Sequence, residues 1–89
     1  MLVKMYSVYD KSAEFYNAPF MARTDAEAVR ILETVVNDPK TTLGQHPEQY
    51  HLSYMGTFDD NTGAITAPTS PTLVTPVLSL KKAPEPTIQ

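Results

Sequence analysis

The sequence predicts an α+β fold: a small antiparallel sheet in the order β-β-α-β-β, with one helix packed on a face and an extended proline-rich C-terminal tail. Two periodicities and one shift in composition indicate it. Apolar residues recur at helical spacing in residues 25–36, side chains alternate in residues 50–58, and five prolines fall among residues 68–89. We therefore expect one domain over residues 1–67 and a tail over residues 68–89.

The first two strands are expected at residues 2–9 and 19–23. Residues 2–9 are rich in Val, Tyr and Met and contain neither Gly nor Pro, which is the composition of a strand. Apolar side chains fall on both faces of this segment, so we expect it to be a central strand. Pro19 lacks an N–H, so the second strand begins there or lies at an edge of the sheet.

The helix is expected at Asp25–Val36, because its start, its buried face and its end are all marked in the sequence. Thr24 and Glu27 form a capping box, in which the Thr24 hydroxyl accepts a hydrogen bond from the Glu27 N–H. Apolar side chains cover one arc of the helix, at Ala28, Val29, Ile31, Leu32, Val35 and Val36. Pro39 prevents continuation. We expect this arc to pack on the sheet with Leu32 at its centre.

The clearest strand is expected at residues 50–58. Its larger side chains alternate with mostly polar ones, at Tyr50, Leu52, Tyr54 and Phe58. This period of two indicates a half-buried strand whose aromatic side faces the helix. The polar run at residues 59–63 predicts a hairpin loop and residues 64–67 its return strand. The same run offers oxygen ligands, but it lacks the spacing of a calcium loop, so we interpret it as a turn.

The tail is expected to be extended without being purely hydrophilic. Its prolines remove backbone donors and prevent a regular helix. It carries more apolar surface than a solvated linker needs, at Leu73, Val74, Val77, Leu78 and Leu80. We expect these side chains to dock on the domain, on a second copy or on another protein, with Leu78 or Leu80 as the anchor.

The composition disfavours several kinds of site. With no cysteine and three glycines, the sequence offers no disulfide, no thiolate nucleophile and no glycine-rich phosphate loop. His46 and His51 are the only histidines, and we interpret both as structural or surface residues. We expect no catalytic residue, metal or cofactor. No apolar run reaches the roughly 18 residues of a membrane span, so no membrane contact is expected.

Nucleic-acid binding is an alternative that the residues leave open. The formal charge is −3, and residues 1–64 carry five basic against nine acidic groups, which disfavours strong phosphate binding. Aromatic side chains can nevertheless stack on single-stranded bases while Lys81 and Lys82 contact phosphates. Tyr6 and Tyr54 are the candidate stacking residues. Their competing interpretation is as core residues beneath the helix.

Five short motifs carry a resemblance to a known family. In order, they are Met5–Asp10 (MYSVYD), Pro19-Phe20, Val35–Pro39 (VVNDP), Gln45–Tyr50 (QHPEQY), and Gly56–Asp59 with Thr62-Gly63. At their spacing they resemble the small nonstructural protein of gokushoviruses, which are single-stranded DNA phages of the Microviridae. The resemblance covers residues 2–67, and the tail after Pro68 does not belong to the matching pattern.

The resemblance implies a non-enzymatic protein that acts in the cytoplasm of the bacterial host, in genome synthesis or packaging. It supplies no catalytic residue to carry over. We expect the chain to pair with itself or to dock on viral replication or assembly proteins. A chain of 89 residues is near the lower limit at which one core is stable alone, which also favours a homo-oligomer. Direct binding of single-stranded DNA through exposed aromatics, Lys81 and Lys82 is the alternative.

Overall fold

A six-stranded antiparallel sheet and one main helix form the structure, a computed structural model that describes residues 1–82. The strands are Leu2–Asp10 (β1), Phe15–Tyr16 (β2), Phe20–Ala22 (β3), Tyr50–Asp59 (β4), Ile65–Thr66 (β5) and Thr72–Pro76 (β6). The helices are Asp25–Val36 (α1) and Thr42–Gln45 (α2), with 3₁₀ turns at Pro47–Gln49 and Val77–Leu80. The α+β fold class predicted from the sequence is confirmed.

β1 and β4 form the centre of the sheet. They run antiparallel, from the pair Leu2 and Asp59 to the pair Asp10 and Tyr50. β2 and β3 pair with the outer edge of β1, while β5 and β6 pair with the outer edge of β4. The central position predicted for the first strand is therefore confirmed. β1 thus has paired strands along both of its edges.

The core lies between α1 and one face of this sheet. The helix begins as predicted, because the Thr24 hydroxyl accepts the Glu27 N–H at 3.1 Å. Leu32 is 4 % exposed and packs in a cluster with sheet residues that include Tyr6 and Leu52. At the other end, the Asn37 side-chain amide donates to the Glu33 carbonyl at 2.8 Å, which adds a hydrogen bond to a carbonyl in the last turn of the helix. None of the helices within residues 1–82 has the length and apolarity needed to cross a membrane.

A β-bulge in β4 changes which side chains face the helix. Met5 pairs with Gly56, but the next residue, Tyr6, pairs with Tyr54, so Met55 is an extra residue. Beyond the bulge Phe58 pairs with Val3 and lies on the face of the sheet away from α1. The prediction that Phe58 shares a face with Leu52 was therefore wrong. An inserted residue moves every later side chain of the strand to the opposite face, and the sequence alone does not mark the insertion.

Residues 72–80 are part of the same folded unit. β6 pairs with β4, and the following 3₁₀ turn buries Val77 in the core. Packing therefore continues past the domain boundary expected between residues 67 and 68. The rest of the expected tail, residues 83–89, lies outside the described residues.

Replacing Gly56 tests the bulge. Gly56 has a φ of 139°, and a Cβ at this position would collide with the Thr66 carbonyl oxygen of β5. We expect Gly56→Ala to lower the free energy of unfolding by more than about 2 kcal/mol, because it adds a steric clash to an unfavourable φ. Urea denaturation followed by circular dichroism measures the change.

Gly63→Ala is the matched control. Gly63 also has a positive φ, of 78°, but a Cβ there would meet no atom within 4 Å. Gly63→Ala should therefore lower the free energy of unfolding by only about 1 kcal/mol, the cost of placing a residue with a Cβ in the left-handed backbone conformation. Equal decreases in the free energy of unfolding for the two variants would show that the close approach of Gly56 to β5 does not require glycine.

Candidate functional site

The sheet has a second face, which is turned away from α1. Residues paired across antiparallel strands point to the same side, so the register identifies the side chains on it. We call this surface the open face; it comprises Val3, Met5, Ser7, Tyr9, Tyr16, Met21, His51, Ser53, Phe58, Ile65, Leu73 and Pro76. The buried side chains of α1, together with the adjoining α2 and 3₁₀ segments, pack on the opposite face of the sheet. Among residues 1–82, no Asp, Glu, Lys or Arg occupies a strand position on the open face.

The open face is apolar where it meets solvent. Tyr16 and Met21 on one side of the sheet are 41 % and 45 % exposed, and Leu73 on the other side is 56 % exposed. The centre is closed, because the paired residues Ser7 and Ser53 are 1 % and 2 % exposed. Apolar side chains at both edges thus flank a closed centre, which leaves few polar groups to be desolvated by a docking surface.

Three aromatic rings are in contact on the open face. Tyr9 lies 4.6 Å from Tyr16 and 5.1 Å from His51 between ring centroids, and the His51 ring is nearly parallel to that of Tyr9. Burial in this cluster lowers the pKa of His51, and the nearby charge of Lys11 lowers it further. The lowered pKa favours the neutral form of the His51 imidazole. No local pattern in the sequence marks this cluster, because the pairing of distant strands creates it.

The structure excludes Tyr6 as a stacking residue. Its side chain is fully buried beneath α1, and its hydroxyl donates a hydrogen bond to the Asp25 carboxylate. Burial, followed by this hydrogen bond, raises the pKa of the Tyr6 hydroxyl. The ring packs against Phe20 and Tyr54, with centroids at 6.0 and 5.8 Å. Tyr54 is half-buried against the same core. Of the two interpretations of Tyr6, the one as a core residue beneath the helix is therefore confirmed, because its face of β1 is the one that α1 covers.

A cavity of about 420 Å³ opens beside the start of α1. Its lining residues are Lys4, Asp25, Tyr54, Thr72, Leu73 and Val74. The Asp25 carboxylate already accepts the Tyr6 hydroxyl. Within residues 1–82, no group of three or more His, Cys, Asp or Glu side chains is placed to hold a metal ion. The cavity is therefore an open groove with a single ammonium group.

The five apolar residues of the tail that are expected to dock divide into two groups. Val77 is fully buried in the core, and Val74 and Leu80 are partly buried against it. Leu73 and Leu78 remain more than half exposed. Within the chain, Val77 is therefore buried more deeply than Leu78 or Leu80, the predicted anchors, because the 3₁₀ turn after Pro76 directs Val77 inward. Of the five residues, Leu73 is the one on the open face.

Lys81 and Lys82 lie at the C-terminal end of α1. The Lys81 ammonium donates to the carbonyls of Val36 and Gly44 at 3.1 and 3.3 Å, where it complements the helix dipole. The Lys82 N–H donates to the Asn37 side chain at 2.8 Å, and the Lys82 residue is exposed. Tyr54 lies near Asp25 at the opposite end of α1, about 16 Å away at the rise of an α-helix. The structure therefore does not gather these nucleic-acid candidates into one site.

Val77→Ala tests whether residues 72–80 stabilise the domain. Removing two buried methyl groups should lower the free energy of unfolding by about 2 kcal/mol. Leu78→Ala, at a neighbouring residue that is 53 % exposed, should change it by less than about 0.5 kcal/mol. Thermal and urea unfolding of both variants measure the difference. The reverse order of effects would mean that Leu78 is the anchor, as the sequence indicated.

The low pKa of His51 predicts a pH dependence of stability. Below the ordinary value of 6.5, the unfolded chain takes up a proton that the folded chain resists. The free energy of unfolding should therefore fall as the pH is lowered through 6.5, the ordinary histidine value that the unfolded chain keeps. His51→Gln should reduce this fall in urea titrations at fixed protein concentration. His46→Gln, at a side chain that is 53 % exposed, should leave it in place, and an unchanged fall in His51→Gln would contradict the assignment.

The comparisons with known proteins place the chain in a family. A family model described as Phage ORF5 protein matches residues 3–80, while a search of curated proteins and a search of solved structures found no match. The matched range includes β6 and the final 3₁₀ turn, so it extends beyond the residues 2–67 that carry the resemblance. The phage affiliation implied by that resemblance is confirmed. Because the match spans most of the 89 residues, the chain belongs to the Phage ORF5 protein family.

Proposed function

We propose that the chain is a non-enzymatic phage accessory protein that acts in genome synthesis or packaging by docking on proteins through the open face. The observation that carries the proposal is the absence of Asp, Glu, Lys and Arg from the strand positions of that face within residues 1–82. The motif series favours a gokushovirus, and hence the cytoplasm of an infected bacterium as the place of action. Expected partners are the viral replication or assembly proteins and the chain itself.

The composition of the open face supports protein docking. Protein interfaces are enriched in Tyr and Met and depleted of charged residues at their centres, and the open face carries Tyr9, Tyr16, Met5 and Met21. Tyr16 and Met21 keep more than two fifths of their surface exposed. Exposed apolar patches of this kind mark interaction sites on small soluble domains. Tyrosine is also among the residues that contribute most to binding energy.

The perturbed groups near the groove support a structural rather than a catalytic role. The Tyr6 hydroxyl and the Asp25 carboxylate satisfy each other, and the Tyr6 pKa is raised, away from the range of a general base at neutral pH. His51 lies on the other face of the sheet and contacts Tyr9. Tyr6 and Asp25 thus lie on one side of the sheet and His51 on the other.

One observation favours a second candidate, direct binding of single-stranded DNA. Tyr9, Tyr16 and His51 present adjacent rings on a sheet face, as stacking platforms for bases do. The face supplies no cation for phosphates, and Lys81 is occupied at the end of α1. Binding by this cluster would therefore depend on stacking, with Lys11 as a cation near His51, while Lys82 is exposed at the C-terminal end of α1.

Affinity capture from infected cells tests the proposed function. The tagged chain should retain phage-encoded proteins after nuclease treatment, and Met21→Glu should lose them because it places a charge on the apolar face. The control Ile31→Glu introduces the same charge at a residue of α1 that is 41 % exposed and should retain them. Equal retention by the two variants would remove the open face from the proposal.

The DNA candidate has its own measurement. Anisotropy of a labelled single-stranded oligonucleotide should report binding that weakens with salt if phosphates are contacted, and Tyr16→Ala should weaken it further if the ring stacks on a base. Nuclease-sensitive capture, combined with salt-dependent anisotropy, would favour DNA over protein docking. Flat anisotropy at low salt would eliminate this candidate.

A further inference from the structure

We propose that the occupant of the open face is a second copy of this chain, in a two-fold symmetric, face-to-face dimer. This inference rests on the proposed function, because it names the partner of the same docking face. Three features of the described residues support it: the charge pattern of the face, its area and the distribution of its exposed side chains.

The charge pattern of the open face is self-complementary. In a two-fold interface each residue meets the same surface patch on its partner, so a patch of one sign would oppose itself. The chain carries a formal charge of −3, and two copies therefore repel each other over most orientations. The strand positions of the open face carry no charge, so two copies meet there with charged side chains such as Lys11, beside His51, at the margin rather than at the centre. A partner selected by charge would be met by a charged patch instead.

The area of the open face is sufficient for a dimer. The nine residues of β1 span about 30 Å. Across the sheet, β2 and β3 share one strand position and β5 and β6 share another, so four positions about 4.8 Å apart give a width of about 19 Å. Face-to-face pairing would then bury roughly 600 Å² on each copy, or roughly 1,200 Å² in all, which is the lower bound of specific, stable interfaces. A chain of this size also gains more than a larger one from burying additional apolar surface.

The exposed side chains suit either orientation of the symmetry axis. Met21 lies on β3 at one edge of the sheet, and Leu73 lies on β6 at the other. An axis parallel to the strands brings the β3 edge of one copy over the β6 edge of its partner, and an axis perpendicular to them brings like edges together. In both cases an apolar side chain faces an apolar side chain. Tyr9 lies between these edges on β1, and Tyr16 contacts it from the same edge as Met21.

Sedimentation equilibrium of the purified full-length chain tests the dimer. The wild type should show twice the chain mass of 9.9 kDa at micromolar concentrations. Met21→Glu and Leu73→Glu, made separately, should each raise the dissociation constant by about tenfold or more, because an uncompensated charge is buried. Ile31→Glu should sediment as the wild type does. Circular dichroism should show the same helix and sheet content in all four proteins.

Cysteine labelling locates the interface independently of these charges. The chain has no cysteine, so Met21→Cys and Ile31→Cys each provide a single reactive thiol. A maleimide should label Met21→Cys more slowly as protein concentration rises through the dissociation constant, whereas Ile31→Cys should react at a constant rate. Labelling of Met21→Cys that does not depend on concentration would overturn the assignment of the interface to this face.

The outcomes separate this inference from the proposed function. A wild-type monomer at micromolar concentrations, or dimers in both glutamate variants, would overturn the inference. If Met21→Glu still lost captured phage proteins in that case, docking through the open face would stand with a different partner. A dimer abolished by both glutamate variants, with phage proteins captured equally by Met21→Glu and Ile31→Glu, would support the inference and count against docking on other proteins through this face.

Discussion

The pairing of β1 with β4 is the constraint on which the rest of the structure depends. Each of the other strands adds to an outer edge of this pair, and its register decides which side chains α1 covers. Up to the bulge, Tyr6 and Val8 face the helix together with Tyr54 and Leu52. At Met55 the register shifts by one residue, which gives Phe58 to the open face. A shift at any other position would exchange apolar and polar side chains between the two faces.

The same register separates charge from apolar surface. Lys4 and Asp10 of β1 and Asp59 of β4 all lie on the side of the sheet that α1 covers, towards the ends of the strands. Within residues 1–82, the other acidic groups lie on α1, in loops and in the 3₁₀ turn Pro47–Gln49. The open face is left with aromatic, aliphatic, sulfur-containing and hydroxyl side chains. A surface of this composition loses little solvation when another protein covers it, which is why it is the docking candidate rather than the groove beside Lys4.

Sequence reasoning predicted the elements whose signals are local. The bounds of α1, Asp25–Val36, agree with the prediction, since the cap at Thr24, the apolar arc and Pro39 all lie within one stretch of chain. The open face could not be predicted in the same way. Its composition depends on the bulge at Met55 and on pairings such as Ser53 with Leu73, which join residues far apart in sequence. Tyr9 and His51 therefore appeared as unrelated residues until the strands were paired.

The number of prolines predicts that residues 72–80 belong to a tail, because proline disfavours regular structure, but the position of each proline matters more than their number. Pro71 precedes β6 and Pro76 is its last residue, so neither removes a donor from the middle of the strand. The segment then supplies Leu73 to the open face and Val77 to the core, while the Leu80 carbonyl and the Lys82 N–H bond to Asn37. A short α+β domain with one main helix has little surface with which to cover its sheet, and Val77 fills the part that α1 leaves open. Because one segment contributes to both faces, loosening Val77 from the core should also disturb Leu73, which couples the stability of the domain to the integrity of its docking face.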